Sequence, residues 1–274
     1  LALLVYLARW FAKPNDLTHF GSLWHPIIAT GLTLIFILPA DFSTTAVIFT
    51  MVLLLMIAAN VPWKHLFKII GSAIAVLGVF ILVVMAFPQL SNRVATWRAR
   101  IVNFSTGGDE DGSYQSDLAK MAIAEGNIFG KGPGKSVQKN FLPQSNSDFV
   151  FAVITEEYGL LGGSVVILFF GMMFRRFVRI ARKAHTKFGT LLVLAASSGI
   201  AIQTLVNIGV AIGSLPVTGQ TLPFLSAGGS SIWVTSIALG IILSVSHTDV
   251  EKIIGKNAQE EDELDPAAQD IEAV

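Results

Sequence analysis

Cysteine is absent from all 274 residues, which excludes disulfides and thiolate-held metals. Charge is nearly as scarce. Asp, Glu, Lys and Arg make up 14% of the chain, against roughly 25% in a soluble domain. So few charges cannot furnish a water-facing surface, and lipid must cover much of the molecule. The 19 basic and 19 acidic residues cancel, which argues against nucleic acid as a main partner. Internal repeats are missing too. No charged segment precedes the opening Leu1-Ala2-Leu3-Leu4, and no Met begins it. This start reads as the tail of a membrane span in a fragment, rather than as a signal peptide.

What is present is hydrophobic residue, 53% of the chain, gathered into runs. A bilayer-crossing helix takes about 20 apolar residues. After Leu1–Leu7, the candidates are Trp24–Leu38, Thr44–Asn60, Leu66–Phe87, Leu160–Phe174, Phe188–Ile212 and Ser226–Val245. Backbone polar groups find no water in hydrocarbon, so each must be a helix. Basic residues in the short connections set the orientation. Arg9 and Lys13, then Lys64 and Lys68, then Arg175, Arg176, Arg179, Arg182, Lys183 and Lys187, all fall on one side when the spans alternate. The connections Pro39–Ser43 and Ser214–Leu225 carry neither Lys nor Arg. The basic side is expected to be cytoplasmic, and the long segment Pro88–Gly159 to face outward. The fold expected is therefore an all-α integral membrane protein, a polytopic helix bundle with one long extracytoplasmic loop. Residues 1–87 hold the first helices, 88–159 the loop, 160–247 the later helices and 248–274 an acidic cytoplasmic tail. The tail lacks apolar periodicity from Gly255 onward and reads as disordered.

The loop is too long for a mere connection. Tyr114–Glu125 reads as a short helix stopped by Gly126. Gly130-Lys131-Gly132-Pro133-Gly134-Lys135-Ser136 is a glycine-rich turn. It is not a P-loop, because Phe129 stands where the first glycine is required and no strand precedes it. Its plain reading is a flexible turn; its functional reading is a cradle in which backbone N–H groups with Lys131, Lys135 and Lys139 hold an anionic headgroup. Arg93, Arg98 and Arg100 either anchor a helix end at lipid phosphates or clamp a pyrophosphate. Asp148 lies between the polar run Ser145-Asn146-Ser147 and an apolar helix, Phe149–Tyr158. Its plain role is a helix N-cap. Apolar walls would also favour its protonated form, which suits a general base that takes a proton from a sugar hydroxyl. Glu156 and Glu157 stand at the mouth of a span, where an acid is costly and needs an Arg, a Lys or a cation beside it. Gln203 and Asn207 share a helix face, and interhelical hydrogen bonding is their default reading.

Taken together, these segments resemble the SEDS family of FtsW, RodA and SpoVE, over about Leu1–His247. Gly112-Ser113-Tyr114-Gln115 is similar to the family's G-Y-Q. Gly130 through Lys139 is similar to its G-x-G-x-G-x-S-x-Q-K. Leu142-Pro143, Asp148-Phe149-Val150-Phe151-Ala152 and Glu156-Glu157-Tyr158-Gly159 resemble its L-P-E…H-T-D-F-I-F-A…E-E-x-G. Pro216 through Pro223, with Ser226-Ala227-Gly228-Gly229-Ser230-Ser231, resembles its late P-x-x-G-x-x-L-P…S-x-G-G-[ST]-S. Tyr114-Gln115 and Gln138-Lys139 favour the FtsW branch. Departures are Asn146-Ser147 in place of His-Thr and Gln144 in place of Glu.

The resemblance implies a ten-span fold whose first helices lie upstream of this sequence. It implies polymerisation of lipid II into glycan strands during cell division, with release of undecaprenyl pyrophosphate, at the bacterial cytoplasmic membrane and its division septum. The family's catalytic Asp falls on Asp148. Substrate contacts are expected from Arg93, Arg98, Arg100, Gln115, Lys131, Ser136, Gln138, Lys139, Glu156, Glu157, Ser226, Gly228, Gly229 and Ser230, with or without a divalent cation such as Mg or Mn. The partners implied are a class B penicillin-binding protein and other division proteins. A lipid II flippase and a non-catalytic division scaffold stand as alternatives.

Overall fold

Every long apolar run of the sequence falls on a helix in the computed structural model, which describes residues 1–13, 17–86, 110–142 and 145–264. The helices are α1 (Ala2–Ala12), α2 (Trp24–Ile37), α3 (Phe42–Ala58), α4 (Trp63–Ala86), α5 (Glu110–Glu125), α6 (Val150–Lys183), α7 (Lys187–Ala211) and α8 (Gly229–Leu264). Among the described residues, five segments are long and apolar enough to cross a bilayer: Phe20–Ile37, Trp63–Leu82, Val150–Lys183, Lys187–Ala211 and Gly229–His247. α1 and α3 are apolar but shorter. The chain is thus an all-helical, multi-pass membrane protein, and exposed side chains such as Phe36 and Trp233 suit a lipid-facing surface.

Local chemistry starts the helices where it should. Asp41 caps α3, its carboxylate accepting from Thr44 N at 3.1 Å and from Thr44 Oγ1 at 2.6 Å. Thr186 caps α7, its hydroxyl accepting from Gly189 N at 3.0 Å. α7 is the central helix. It packs on α1 and α3 on one side and on α6 and α8 on the other. Its small residues Gly189, Ala195, Ala196 and Gly209 allow that close approach. Two hydrophobic clusters meet along it. Leu191, Ala195 and Ile202 join the cluster of α1 and α3. Val193, Ala196 and Ile200 join that of α5, α6 and α8.

The two ends of α7 differ in company. Near its start, Arg9 of α1 lies over the Phe188 ring at 5.9 Å, close to the basic end of α6. Beyond its other end, the Lys- and Arg-free connections come together, since Gln220 Nε2 donates to Thr44 Oγ1 at 3.3 Å. The two short connections without Lys or Arg thus share one end of the bundle.

Two boundaries differ from expectation. Phe149–Tyr158 and the span that follows form one element, α6, interrupted only at Gly159, and the span runs on to Lys183. The acidic tail is helical as far as Leu264 rather than disordered from Gly255. Its Glu, Lys, Gln and Ala are good helix formers, and a helix continued out of a membrane span bears no new nucleation cost. Arg93, Arg98, Arg100, Pro143 and Gln144 lie outside the described residues.

Candidate functional site

Gly159 breaks α6 with φ 71° and ψ −172°, a backbone state that L side chains resist. Such a break would orphan helix amides and carbonyls at a membrane boundary, where each must find a partner. The glycine-rich segment supplies them. Lys131 N donates to Glu156 O at 3.0 Å and Gly132 N to Glu157 O at 2.9 Å. In return, Leu160 N donates to Asn127 O at 2.8 Å and Leu161 N to Ile128 O at 3.3 Å. Gly130, also at positive φ, faces Gly159 so closely that a Cβ on either would overlap the opposing backbone. Gly159→Ala is therefore expected to lower the thermal unfolding temperature in detergent. Gly171→Ala, where a Cβ would meet open space, is expected to leave it unchanged or slightly raised.

Side chains lock the same junction. Glu156 is fully buried. Its carboxylate accepts from Lys131 Nζ at 2.8 Å, Ser136 Oγ at 2.5 Å and Val137 N at 3.0 Å. Lys131 also bonds Glu125, and Gln138 Nε2 reaches Glu125 Oε1 at 3.5 Å. Ser136 Oγ accepts from Lys139 N at 3.1 Å. Hydrogen bonds to Glu125 first and Glu156 second push the Lys131 ammonium above the ordinary lysine range. This supplies the cation the acids at the span mouth required. It also commits Lys131 and Ser136 to holding the turn, so the cradle is a built latch rather than a loose turn. Lys135 and Lys139 stay exposed on its surface.

The second constellation surrounds Asp148, which is 8% exposed. The helix cap falls one residue later, on Phe149, which makes no side-chain cap bond. The segment 145–149 is gripped through its main chain. Asn207 Nδ2 donates to Asp148 O and to Gln220 O, each at 2.8 Å. Ala227 N donates to Asn146 O at 2.8 Å. Ser226 Oγ donates to Ser147 O and accepts from Leu222 N at 2.7 Å. Gly219, at φ 70°, turns its bare Cα toward the acid, and Asp148 Oδ2 lies 3.6 Å from where a Cβ would stand. Asn207 thus serves a loop, not a neighbouring helix. A buried carboxylate at a membrane face, with glycine on one side, is an arrangement that can accept a proton from a hydroxyl brought to it.

The remaining sequence candidates scatter. Gln115 is half-buried on α5, Glu157 half-buried on α6, and Gly228 half-buried just ahead of α8. Gly229 and Ser230 are exposed in the first turn of α8. Sequence reading passed over Glu125, which organises Lys131 and Gln138; its place directly before Gly126 was the available signal. It also passed over Gln220 and Thr44, whose meeting is visible only in three dimensions. Two apolar grooves open nearby. One of about 510 Å³ lies between α2, α3 and α4. The other, about 320 Å³, lies between α3, α7 and residues 215–218, and Phe42 and Ala46 wall both.

Comparison with known proteins gives consistent matches. The FtsW/RodA/SpoVE family model, described as "Cell cycle protein", matches residues 1–251. A probable peptidoglycan glycosyltransferase FtsW of Neisseria gonorrhoeae is 35% identical over 234 residues, 84% of this chain and 48% of that protein. Stage V sporulation protein E of Bacillus subtilis is 34% identical over 253 residues, 90% of this chain and 66% of that protein. The chain therefore spans about half to two thirds of these relatives' length. Among solved structures, a chain of a peptidoglycan synthase complex in which polymerisation and crosslinking are coordinated has TM-score 0.69 at 24% identity, covering 90% of this chain and 68% of its own. The rod shape determining protein RodA of Thermus thermophilus has TM-score 0.58 at 24% identity, covering 89% and 62%. These two share the fold described above.

Proposed function

Because the chain belongs to the FtsW/RodA/SpoVE family of cell cycle proteins, we propose that it acts as a peptidoglycan glycosyltransferase that polymerises lipid II during cell division. Relatives named as probable peptidoglycan glycosyltransferases support this reading. The observation that carries it is Asp148, a buried acid gripped at the end of the bundle where the two short connections without Lys or Arg meet.

The reaction joins the acceptor hydroxyl of one lipid-linked sugar to the anomeric carbon of another, and the bond to undecaprenyl pyrophosphate breaks. Asp148 takes the hydroxyl proton. Negative charge grows on the departing pyrophosphate, so cations aimed there stabilise the transition state more than the bound substrate. Lys139 and Lys135 are exposed beside the latch, and Arg93, Arg98 and Arg100 complete the proposed basic set. Gln115, Gln138, Glu157, Gly228, Gly229 and Ser230 are proposed to border the headgroup, while Lys131, Ser136, Glu156 and Ser226 act by holding the loop. Among the described residues, no group of three His, Asp or Glu is arranged to hold a metal ion. A divalent cation is therefore proposed to arrive, where it is used, on the pyrophosphate itself. The two grooves sharing Phe42 suit two polyprenyl tails, one for each substrate, and would bring the headgroups together.

By the positive-inside rule the loop faces the cell exterior. A class B penicillin-binding protein, other division proteins and a septal location belong to the same proposal. The test is purified full-length protein given labelled lipid II. Glycan polymer and free undecaprenyl pyrophosphate are the expected products. Movement of lipid II across vesicles without polymer would favour a flippase, and partner binding alone a scaffold.

A further inference from the structure

We propose that Asn207 is the positioning residue for Asp148, fixing where its carboxylate stands; this rests on Asp148 being the base of the reaction above. Asn207 is fully buried in α7, the helix both hydrophobic clusters share. Its single amide nitrogen has two hydrogens, and both are spent on main-chain carbonyls. One belongs to Asp148 and the other to Gln220, each at 2.8 Å. The first ties the acid to the most firmly packed element of the bundle. The second ties in the residue next to Gly219, whose bare Cα faces Asp148 Oδ2. One side chain thus ties the acid's own main chain to the wall opposite it.

The amide's orientation follows from its partners, because a flip would set Oδ1 against two carbonyl oxygens. Oδ1 is then left buried with no donor among the described residues. Nearly all buried polar atoms in folded proteins are paired, so an exception calls for an explanation. Gln203, one turn earlier on the same face, makes neither bond and shares no such role.

The test uses the full-length protein in detergent with labelled lipid II. Asn207→Leu keeps the volume and removes both donors. It is expected to elute as the parental protein does and to lower kcat about 100-fold, the scale of a displacement of about 1 Å at a reacting group, with KM changed less than about threefold. A folded variant with parental kcat, or with KM alone raised, overturns the proposal. Should Asn207→Leu fail to fold, Asn207→Asp decides. Its neutral acid can donate one of the two bonds, whereas its carboxylate opposes both carbonyls. The ratio of its rate to the parental rate is therefore expected to fall as pH rises, and a flat ratio overturns the proposal. Asp148→Asn is run alongside. If that variant alone stays fully active, the assignment of the base has failed and the positioning role falls with it; if it is inactive while Asn207→Leu is not, only the positioning role fails.

Discussion

Asp148→Asn is expected to lower kcat for lipid II polymerisation by about 10³-fold, within the range a general base contributes, while KM changes little. Asparagine keeps the shape of the side chain but cannot take the acceptor's proton. The grip on this segment runs through main-chain atoms: Asn207 to Asp148 O, Ala227 to Asn146 O and Ser226 to Ser147 O. None of these bonds needs the Asp148 carboxylate, so the variant is expected to fold and to elute as the parental protein does. Product ladders resolved by gel, read beside a substrate-binding titration, separate the two parameters. Parental kcat in a folded variant would mean that Asp148 is not the base.

Glu156→Leu is expected to have the largest effect on stability. Ser136 Oγ and Val137 N lose a buried acceptor, at roughly 1–3 kcal/mol for each group left unmatched. Lys131 keeps only Glu125. The turn that patches the break in α6 would then lose its side-chain anchor, and its backbone bonds to Glu156 O and Glu157 O would open to water. The expected readouts are a lower unfolding temperature, faster proteolytic nicking between Gly130 and Lys139, and loss of polymer. Lys131 is only half-buried and keeps Glu125, so Lys131→Met added to Glu156→Leu is expected to cost less stability than the two single changes summed, a non-additivity that marks a true pair. A Glu156→Leu protein as stable and as protease-resistant as its parent would dissolve the latch.

The spans, the helix Tyr114–Glu125 and the helix starting near Phe149 were legible because they depend on local pattern: apolar run length, capping residues and stop glycines. The special standing of Asp148 and Glu156 was legible as well, since an acid beside an apolar run demands an explanation wherever it occurs. The partners were not. Glu156 meets Ser136 across 20 residues of chain, Asn207 meets Asp148 across 59, and Gln220 meets Thr44 across 176. No periodicity encodes such meetings; they follow from how the bundle closes. The helical tail was missed for a different reason. Its charge suggested disorder, yet continuation from a formed helix removes the nucleation cost that makes an isolated acidic segment melt.

A glycosyl-transfer site built around Asp148 has to stand at the outer face of the membrane, where lipid-linked sugars are polymerised. This sequence contains no cysteine, so single cysteines introduced into it report without background from this region. Lys139 lies exposed on the latch and Lys183 at the exposed basic end of α6. Lys139→Cys is predicted to react with a membrane-impermeant maleimide on intact cells, and Lys183→Cys only after permeabilisation. The reverse pattern would put Asp148 on the cytoplasmic side and contradict the account.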